Sequence, residues 1–154
     1  MTDTATEPSA HRAQPEPFHW DGVDVLAYKE DDDTFRGVTR QTLTDAEHGQ
    51  GVSLRYFEVE PGGHTTLEKH EHTHVVVPIR GAGTALVGDR VIPLALHDLV
   101  FVDHWVWHQF RASQDEPLGF LCAVTVERDR PTRPTAADLE TLLADPVVAE
   151  FVRY

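Results

Sequence analysis

The most informative stretch of this chain is Pro61-Gly62-Gly63-His64-Thr65-Thr66-Leu67-Glu68-Lys69-His70-Glu71-His72-Thr73-His74-Val75-Val76-Val77. In an extended strand alternate side chains share a face, so Glu68, His70 and His72 can point the same way. Neutral imidazole and carboxylate groups, without a thiolate, suit a divalent ion such as Mn, Fe, Co, Ni, Cu or Zn. The stretch therefore predicts a metal site. The alternative is a surface tract rich in histidine that binds no ion.

The sequence on either side predicts a protein built mostly from β-strands. Short apolar and β-branched runs follow one another closely, and the breaks Gly81-Ala82-Gly83 and Gly88-Asp89 contain residues that turns require. Many short strands with no helix between them indicate a sandwich or a barrel. After a first candidate at 23–28, the predicted strands are 52–60, 73–80, 84–87, 90–94, 99–102, 107–111 and 119–126.

The chain divides into three parts. Residues 1–17 are rich in Thr, Ala, Pro and Glu and show no periodicity, which predicts a disordered arm. Residues 18–130 hold the predicted strands and form the barrel domain. Residues 131–154 change to helical spacing and form a short helical segment at the C-terminus.

Two helices are expected in that last segment. Thr135-Ala136-Ala137-Asp138 has the Thr-x-x-acid pattern of a helix N-terminus, and three leucines follow it at helical spacing. Asp145-Pro146 can cap and begin a second helix over 146–152, because proline is favoured at the first helical position. We expect these helices to cover an edge of the barrel or a partner subunit.

Composition excludes several classes of partner. The formal net charge of −13 argues against nucleic acid and against anionic membranes, since both favour clustered Lys and Arg. No apolar run approaches the roughly 18 residues that a membrane span needs, and the N-terminus lacks a secretory signal. A single cysteine excludes an internal disulfide and fits a reducing cytoplasm.

The strand pattern and the metal tract together resemble the cupin superfamily, whose members are double-stranded β-helix (jelly-roll) barrels. The first cupin motif corresponds here to Gly63 through Gly81, and the second to Asp98 through Phe110, with His108 as its ligand. Glu68 stands where the family usually has histidine, and His74 where it usually has glutamate. His72 can replace Glu68 through a shift in register. The metal ligands that the resemblance implies are Glu68, His70, His74 and His108.

The likeness extends beyond the two motifs. The chain also resembles a cupin subfamily that contains a bacterial manganese enzyme. That enzyme uses glutathione to remove the methylthio group of methylthio-xylulose 5-phosphate. Small manganese cupins that cleave C=C bonds with oxygen are similar in metal spacing. The resemblance implies a divalent cofactor, Mn first, with Fe, Ni, Cu or Zn as alternatives. The further segments that carry it are 36–41, 107–111, 118–122 and 128–131.

Three functions follow from this resemblance. The first is metal-assisted enolisation of a ketose phosphate, with release or transfer of a methylthio group and no redox change at the metal. The second is an oxygen-dependent dioxygenase, for which Trp105, Trp107, Phe110 and Phe120 would suit an apolar substrate. Those aromatics can equally be core residues. The third is a cupin that binds a small molecule without catalysis.

Three further residues are candidates for the site. Cys122 can be a small buried hydrophobe or a cavity thiol able to attack the methylthio sulfur. A phosphorylated substrate needs cations, and Arg55 shares a strand face with Phe57, although that face can be the outer one. Arg40 is the second candidate cation. Strands with one exposed face predict a homodimer.

Overall fold

The structure, a computed structural model, describes residues 11–30 and 32–154. These residues confirm the expected all-β fold with two short C-terminal helices, and no helix among them is long and apolar enough to cross a membrane. In chain order the elements are β1 (Leu26–Ala27), β2 (Arg36–Thr44), a 3-10 turn (Ala46–His48), β3 (Val52–His64), β4 (His74–Gly81), β5 (Gly83–Val87), β6 (Arg90–Leu94), β7 (Val100–Val102), β8 (His108–Ala112), β9 (Leu118–Thr125), α1 (Ala136–Leu143) and α2 (Pro146–Phe151).

One curled antiparallel sheet contains all the strands, and β3 is its centre. Along 52–59, β3 pairs with β9, and β2 lies on its other side. The last residue of β3, His64, pairs with Arg111 of β8, so this one strand joins two parts of the sheet. The strand order is β6-β5-β8-β3-β9-β4-β7, with β2 and β1 branching from β3.

Strand alternation decides which residues face the interior. Phe57 is buried and pairs across the sheet with Phe120, and their ring centroids lie 5.5 Å apart. Two residues before Phe57, Arg55 pairs with Cys122 and therefore points to the same side. The inner face of the curled sheet thus presents a guanidinium and a thiol beside an aromatic core.

The predicted strands from 52 onward are confirmed, with ends that shift by a few residues. The longest shift is in β3, which continues through Pro61-Gly62-Gly63 to His64. The candidate strand 23–28 is reduced to Leu26–Ala27, and both of its residues are exposed. The sequence pattern did not predict β2, because only Val38, Gln41 and Leu43 of its nine residues are buried.

The expected disordered arm is only partly within the described residues. Positions 1–10 lie outside them, and 11–17 are exposed and irregular until a short bridge joins Glu16 to His19. Beyond it, Phe18 and Trp20 pack on Tyr56, with ring centroids 5.7 and 5.2 Å apart. Phe18 and Trp20 therefore pack against the sheet, and the domain boundary at residue 18 stays a prediction.

Both C-terminal helices begin where expected. Thr135 and Asp138 exchange hydrogen bonds as a capping box, and the Asp145 side chain accepts from the first turn of α2. The helices cover the outside of the sheet, where Val148 and Phe151 are buried in an apolar cluster with Leu67. This cluster fixes the chain segment that leads directly into Glu68.

Candidate functional site

The segment that holds the clustered histidines is a loop clamped at both sides, not a strand. Glu68 exchanges backbone hydrogen bonds of 3.2 and 3.0 Å with His108, and Lys69 exchanges bonds of 3.0 and 2.7 Å with Thr132. The extended conformation expected over this segment ends there, and the chain bends before β4 starts at His74. The bend allows side chains at alternate positions to approach much more closely than a strand would.

Hydrogen bonds to backbone carbonyls fix the ring nitrogens of two histidines. The Nδ1 atom of His70 lies 2.7 Å from the carbonyl of His72, and Nδ1 of His108 lies 2.9 Å from the carbonyl of Val106. A carbonyl oxygen can only accept, so each Nδ1 carries the proton in the neutral ring. Each Nε2 then keeps a free lone pair, which is the form that binds a metal.

The imidazoles are held neutral by their surroundings. Burial, followed by the proximity of His108 and His72, lowers the pKa of His70 to about 4. Burial is also the main cause of the lowered pKa values of His74 and His108. Neutral imidazole is the ligand form, so this cluster presents its nitrogens to a cation without first losing protons.

The geometry of these atoms fits a divalent ion. The Nε2 atoms of His70 and His74 lie 2.8 Å apart, and two adjacent ligand nitrogens at about 2.1 Å from one octahedral ion lie about 3 Å apart. Two overlapping groups have ligand atoms within 4.8 Å of one another, and both contain His70. Together the two groups comprise Glu68, His70, His72, His74 and His108.

The two alternatives for the carboxylate position have different partners. An Oε2 atom of Glu68 lies 2.6 Å from the ammonium of Lys29. The ring of His72 stacks on His70 at 3.6 Å between centroids, and its Nδ1 lies 2.7 Å from the Asp129 carboxylate. Glu68 is thus a carboxylate with one oxygen already paired, whereas His72 is an imidazole oriented by a carboxylate.

Lys29 and Asp129 are two partners of the histidine segment that the sequence pattern did not predict. Both lie far along the chain from the histidine segment and reach it only through the fold. Asp129 also accepts backbone hydrogen bonds from Glu71 and His72, at 2.8 and 3.0 Å, so it holds the bend itself. The one available signal for Asp129 was its place in the subfamily-like segment 128–131.

The histidine cluster opens into a cavity of about 240 Å³. Its wall includes Phe57, Phe110 and Phe120, which give it an apolar surface, and the candidate cations Arg40 and Arg55. The aromatic Trp105 and Trp107 are not part of that wall. Trp105 is exposed, and Trp107 packs with the C-terminal helices, which leaves two of the four aromatics expected for an apolar substrate in contact with the cavity.

Cys122 lies between the histidines and the arginines. Its Sγ atom is 3.0 Å from Nδ1 of His74 and 3.6 Å from a terminal nitrogen of Arg55. Burial raises the pKa of the Cys122 thiol, while the nearby Arg55 guanidinium opposes that shift. Cys122 is 2% exposed and belongs to the core, and it also lines the cavity. Its part in the chemistry stays a prediction.

Comparison with known proteins gives a consistent picture. The family described as the cupin domain matches residues 55–124. A protein of Rhodospirillum rubrum, 1-methylthio-D-xylulose 5-phosphate methylsulfurylase, is 54% identical over 136 residues, which are 88% of this chain and 86% of that protein.

Solved structures agree with this match. A cupin 2 conserved barrel domain protein from Rhodopseudomonas palustris has a TM-score of 0.89 and 46% identity, covering 94% of this chain and 100% of that one. A cupin-2 domain from Rhodospirillum rubrum has a TM-score of 0.83 and 55% identity, covering 87% of this chain and 90% of the other.

Proposed function

This chain belongs to the cupin family, and on that premise we propose that it is a metal-dependent enzyme that removes the methylthio group from a ketose phosphate. The observation that carries the proposal is a single cavity in which three kinds of functional group lie next to one another. The cavity contains an imidazole–carboxylate cluster whose geometry fits a divalent ion, a thiol that lies against one of its histidines, and a guanidinium beside the thiol. The 54% identity to a methylsulfurylase supports the same reaction class.

The proposed ligands are Glu68, His70, His74 and His108, with His72 as the alternative to Glu68. Manganese is the proposed native ion, and Fe, Ni, Cu or Zn are its alternatives, since the donor set has oxygen and imidazole nitrogen but no sulfur. A divalent ion held there would polarise two oxygens of a ketose and make the adjacent C–H bond more acidic.

His74 and Cys122 are proposed to act as a pair. With Nε2 of His74 used as a ligand, the ring proton remains on Nδ1, which then donates to Sγ of Cys122 at 3.0 Å. That hydrogen bond and the Arg55 guanidinium both favour the thiolate over the thiol. A reducing compartment such as the cytoplasm would keep Cys122 in the reduced state that this role requires.

The group transfer balances with Cys122 as nucleophile. Its thiolate attacks the methylthio sulfur, an S–S bond forms, and the C–S bond breaks with its electron pair taken up by the substrate as the enolate of the ketose. The carbon that carried the sulfur then takes up a proton and becomes the deoxy position of the product. A low-molecular-weight thiol, the second substrate, attacks the methylthio sulfur of the methyl disulfide on Cys122, which releases the cysteine thiolate and forms a mixed disulfide that carries the methylthio group. A second molecule of that thiol can then free methanethiol from the mixed disulfide.

The test is an anaerobic assay of the metal-loaded protein with a 1-methylthio-ketose 5-phosphate and a thiol. We expect formation of the deoxyketose phosphate together with methanethiol or its mixed disulfide, without oxygen uptake. Product that forms only with oxygen would assign the dioxygenase chemistry instead. Substrate binding without turnover in either atmosphere would leave a non-catalytic binding cupin.

A second copy of the chain is the proposed protein partner. On the outer face of the sheet Val75 pairs directly with Phe101, and both are exposed, as is Leu99 beside them at 72%. Strand β7 is also an end of the sheet order, so its free edge adjoins this apolar face. Apolar faces of this kind are buried in homodimers.

Light scattering after size-exclusion chromatography tests the dimer. We expect twice the chain mass of 17.3 kDa for the unmodified protein and a shift towards the monomer for Phe101→Glu. Val147→Glu changes an equally exposed apolar residue on α2 and serves as the control. A monomeric unmodified protein would contradict the proposal.

A further inference from the structure

Three arginines from separate segments line one side of the cavity. Arg40 of β2 pairs across the sheet with Phe57, and Arg55 of β3 pairs with Thr42, so both lie on the inner face. Arg128 follows β9, and one of its terminal nitrogens donates to the carbonyls of Thr125 and Val126 at 3.0 and 3.2 Å. All three side chains belong to the cavity wall.

Part of the hydrogen-bonding capacity of this cluster is unused among the described residues. The Nε atoms of Arg40 and Arg55 are buried and have no hydrogen-bond partner among the described residues. Buried donors without partners carry a free-energy cost, which the fold tolerates where a ligand supplies the acceptors. The orphaned donors lie on two adjacent strands, and both side chains enter the same cavity.

Charge gives a second, independent observation. In the part of the chain that the structure describes, no carboxylate forms an ion pair with any of these three guanidiniums, although the sequence has 26 acidic residues. Burial, then the neighbouring Arg55 and Arg40, lowers the pKa of Arg128, while Asp45 acts in the opposite sense. The three guanidiniums therefore repel one another, and an anion bound among them would offset that repulsion.

We propose that Arg40, Arg55 and Arg128 form a subsite for a tetrahedral dianion, with Arg128 as the third arm that the sequence pattern did not predict. The guanidinium fork matches the oxygens of a phosphate group and can bind two of them at once. Lys29 also lines the cavity, but it is paired with Glu68 on the metal side. The three arginines are therefore the cations left for the substrate among the described residues of the cavity wall.

The subsite makes the enzyme selective for phosphorylated ketoses. Arg55 contacts the Cys122 thiol and also belongs to the arginine subsite. It therefore sets the distance between the phosphate group of a substrate and the carbon–sulfur bond that reacts. Identification of the anion as a substrate phosphate rests on the proposed function. The binding of a dianion by the three arginines does not.

The experiment compares two variants that change the charge equally. Arg128→Met removes the third guanidinium, and Arg130→Met removes an arginine that is exposed like Arg128 but is not part of the cavity wall. Calorimetric titration of the metal-loaded proteins with inorganic phosphate measures the subsite directly. We expect the dissociation constant to rise at least about 10-fold for Arg128→Met, as for loss of a charge-assisted hydrogen bond. For Arg130→Met we expect no change.

Turnover separates this proposal from the proposed function. For Arg128→Met we expect KM for the phosphorylated ketose to rise while kcat/KM for the unphosphorylated analogue stays the same. Equal weakening of phosphate binding by both variants, or no binding by the unmodified protein, would overturn the subsite. If Arg128→Met alone weakens phosphate binding but the unmodified protein turns over no methylthio-ketose, the subsite is supported and the proposed function is contradicted. Should Arg128→Met fail to fold, Arg40→Met tests the same prediction.

Discussion

The histidine side and the arginine side of the cavity differ in how their polar atoms are satisfied. On the histidine side, ring nitrogens of His70, His74 and His108 have partners that orient them before any ligand arrives. On the arginine side, the Nε atoms of Arg40 and Arg55 have no partner among residues 11–30 and 32–154. The protein itself orients the histidine nitrogens, whereas the arginine Nε atoms would gain hydrogen-bond partners from a bound ligand. Metal retention and anion affinity should therefore respond to different substitutions.

The largest effect is expected from His70→Ala, because His70 belongs to both groups of candidate ligands. Metal content measured by elemental mass spectrometry should fall from about one ion per chain to background. Turnover should fall by about 10³-fold or more, since a catalytic metal contributes several kcal/mol of transition-state stabilisation. His19→Ala removes an exposed histidine outside the cavity wall and should change neither quantity. Full metal content in His70→Ala would disprove the metal site.

Cys122→Ser tests the residue that lies between the two sides. We expect the metal content to stay the same and kcat to fall on the order of 10²-fold or more, as for loss of an essential acid–base or nucleophilic group. Anaerobic turnover and metal content are measured on the same preparation. A serine variant with full activity would leave Cys122 as a core residue and remove the covalent step.

The pair Glu68→Gln and His72→Asn sharpens the description of the histidine side. With Glu68 as ligand, its replacement weakens metal affinity more than that of His72. His72→Asn then costs about 10-fold, as for a residue that only supports the ligands. Competition with a chelator gives both affinities. The reverse order would assign His72, oriented by Asp129, as the ligand and Glu68 as the partner of Lys29.

Much of this fold could be predicted because it depends on local patterns. The strands after β3 were found from alternation and turn residues, and both helix starts from their capping residues. Strand β2 was not predicted, because Arg40 lies on its inner face. A polar residue thus occupies a position where the alternating pattern of a strand would have an apolar one.

The site was less predictable because its geometry is not local. The spacing of Glu68, His70 and His72 suggested a shared strand face, and the structure brings them together through a bend instead. Lys29 and Asp129 become partners of this segment only after the sheet has closed. Sequence spacing therefore identified the ligand types, while their orientation depended on contacts between residues far apart in the chain.

The smallest effect is expected outside the cavity, from Thr135→Ala at the start of α1. The substitution removes the hydroxyl that accepts from the Asp138 backbone and donates to its carboxylate. Loss of such a cap costs about 1 kcal/mol and lowers Tm by roughly 2–4 °C in a chain of this size. Thermal unfolding measures it, with Thr141→Ala as the control, because alanine is favoured inside a helix.

This last substitution also tests whether the two helices influence the histidine side. Leu139 packs in the same cluster as Leu67, which immediately precedes Glu68. We expect metal content and kcat to be unchanged in Thr135→Ala, because α2, with Val148 buried at 1% exposure, holds that cluster when α1 frays. A loss of metal together with the loss in Tm would contradict this. It would mean that the histidine side depends on α1 for its arrangement.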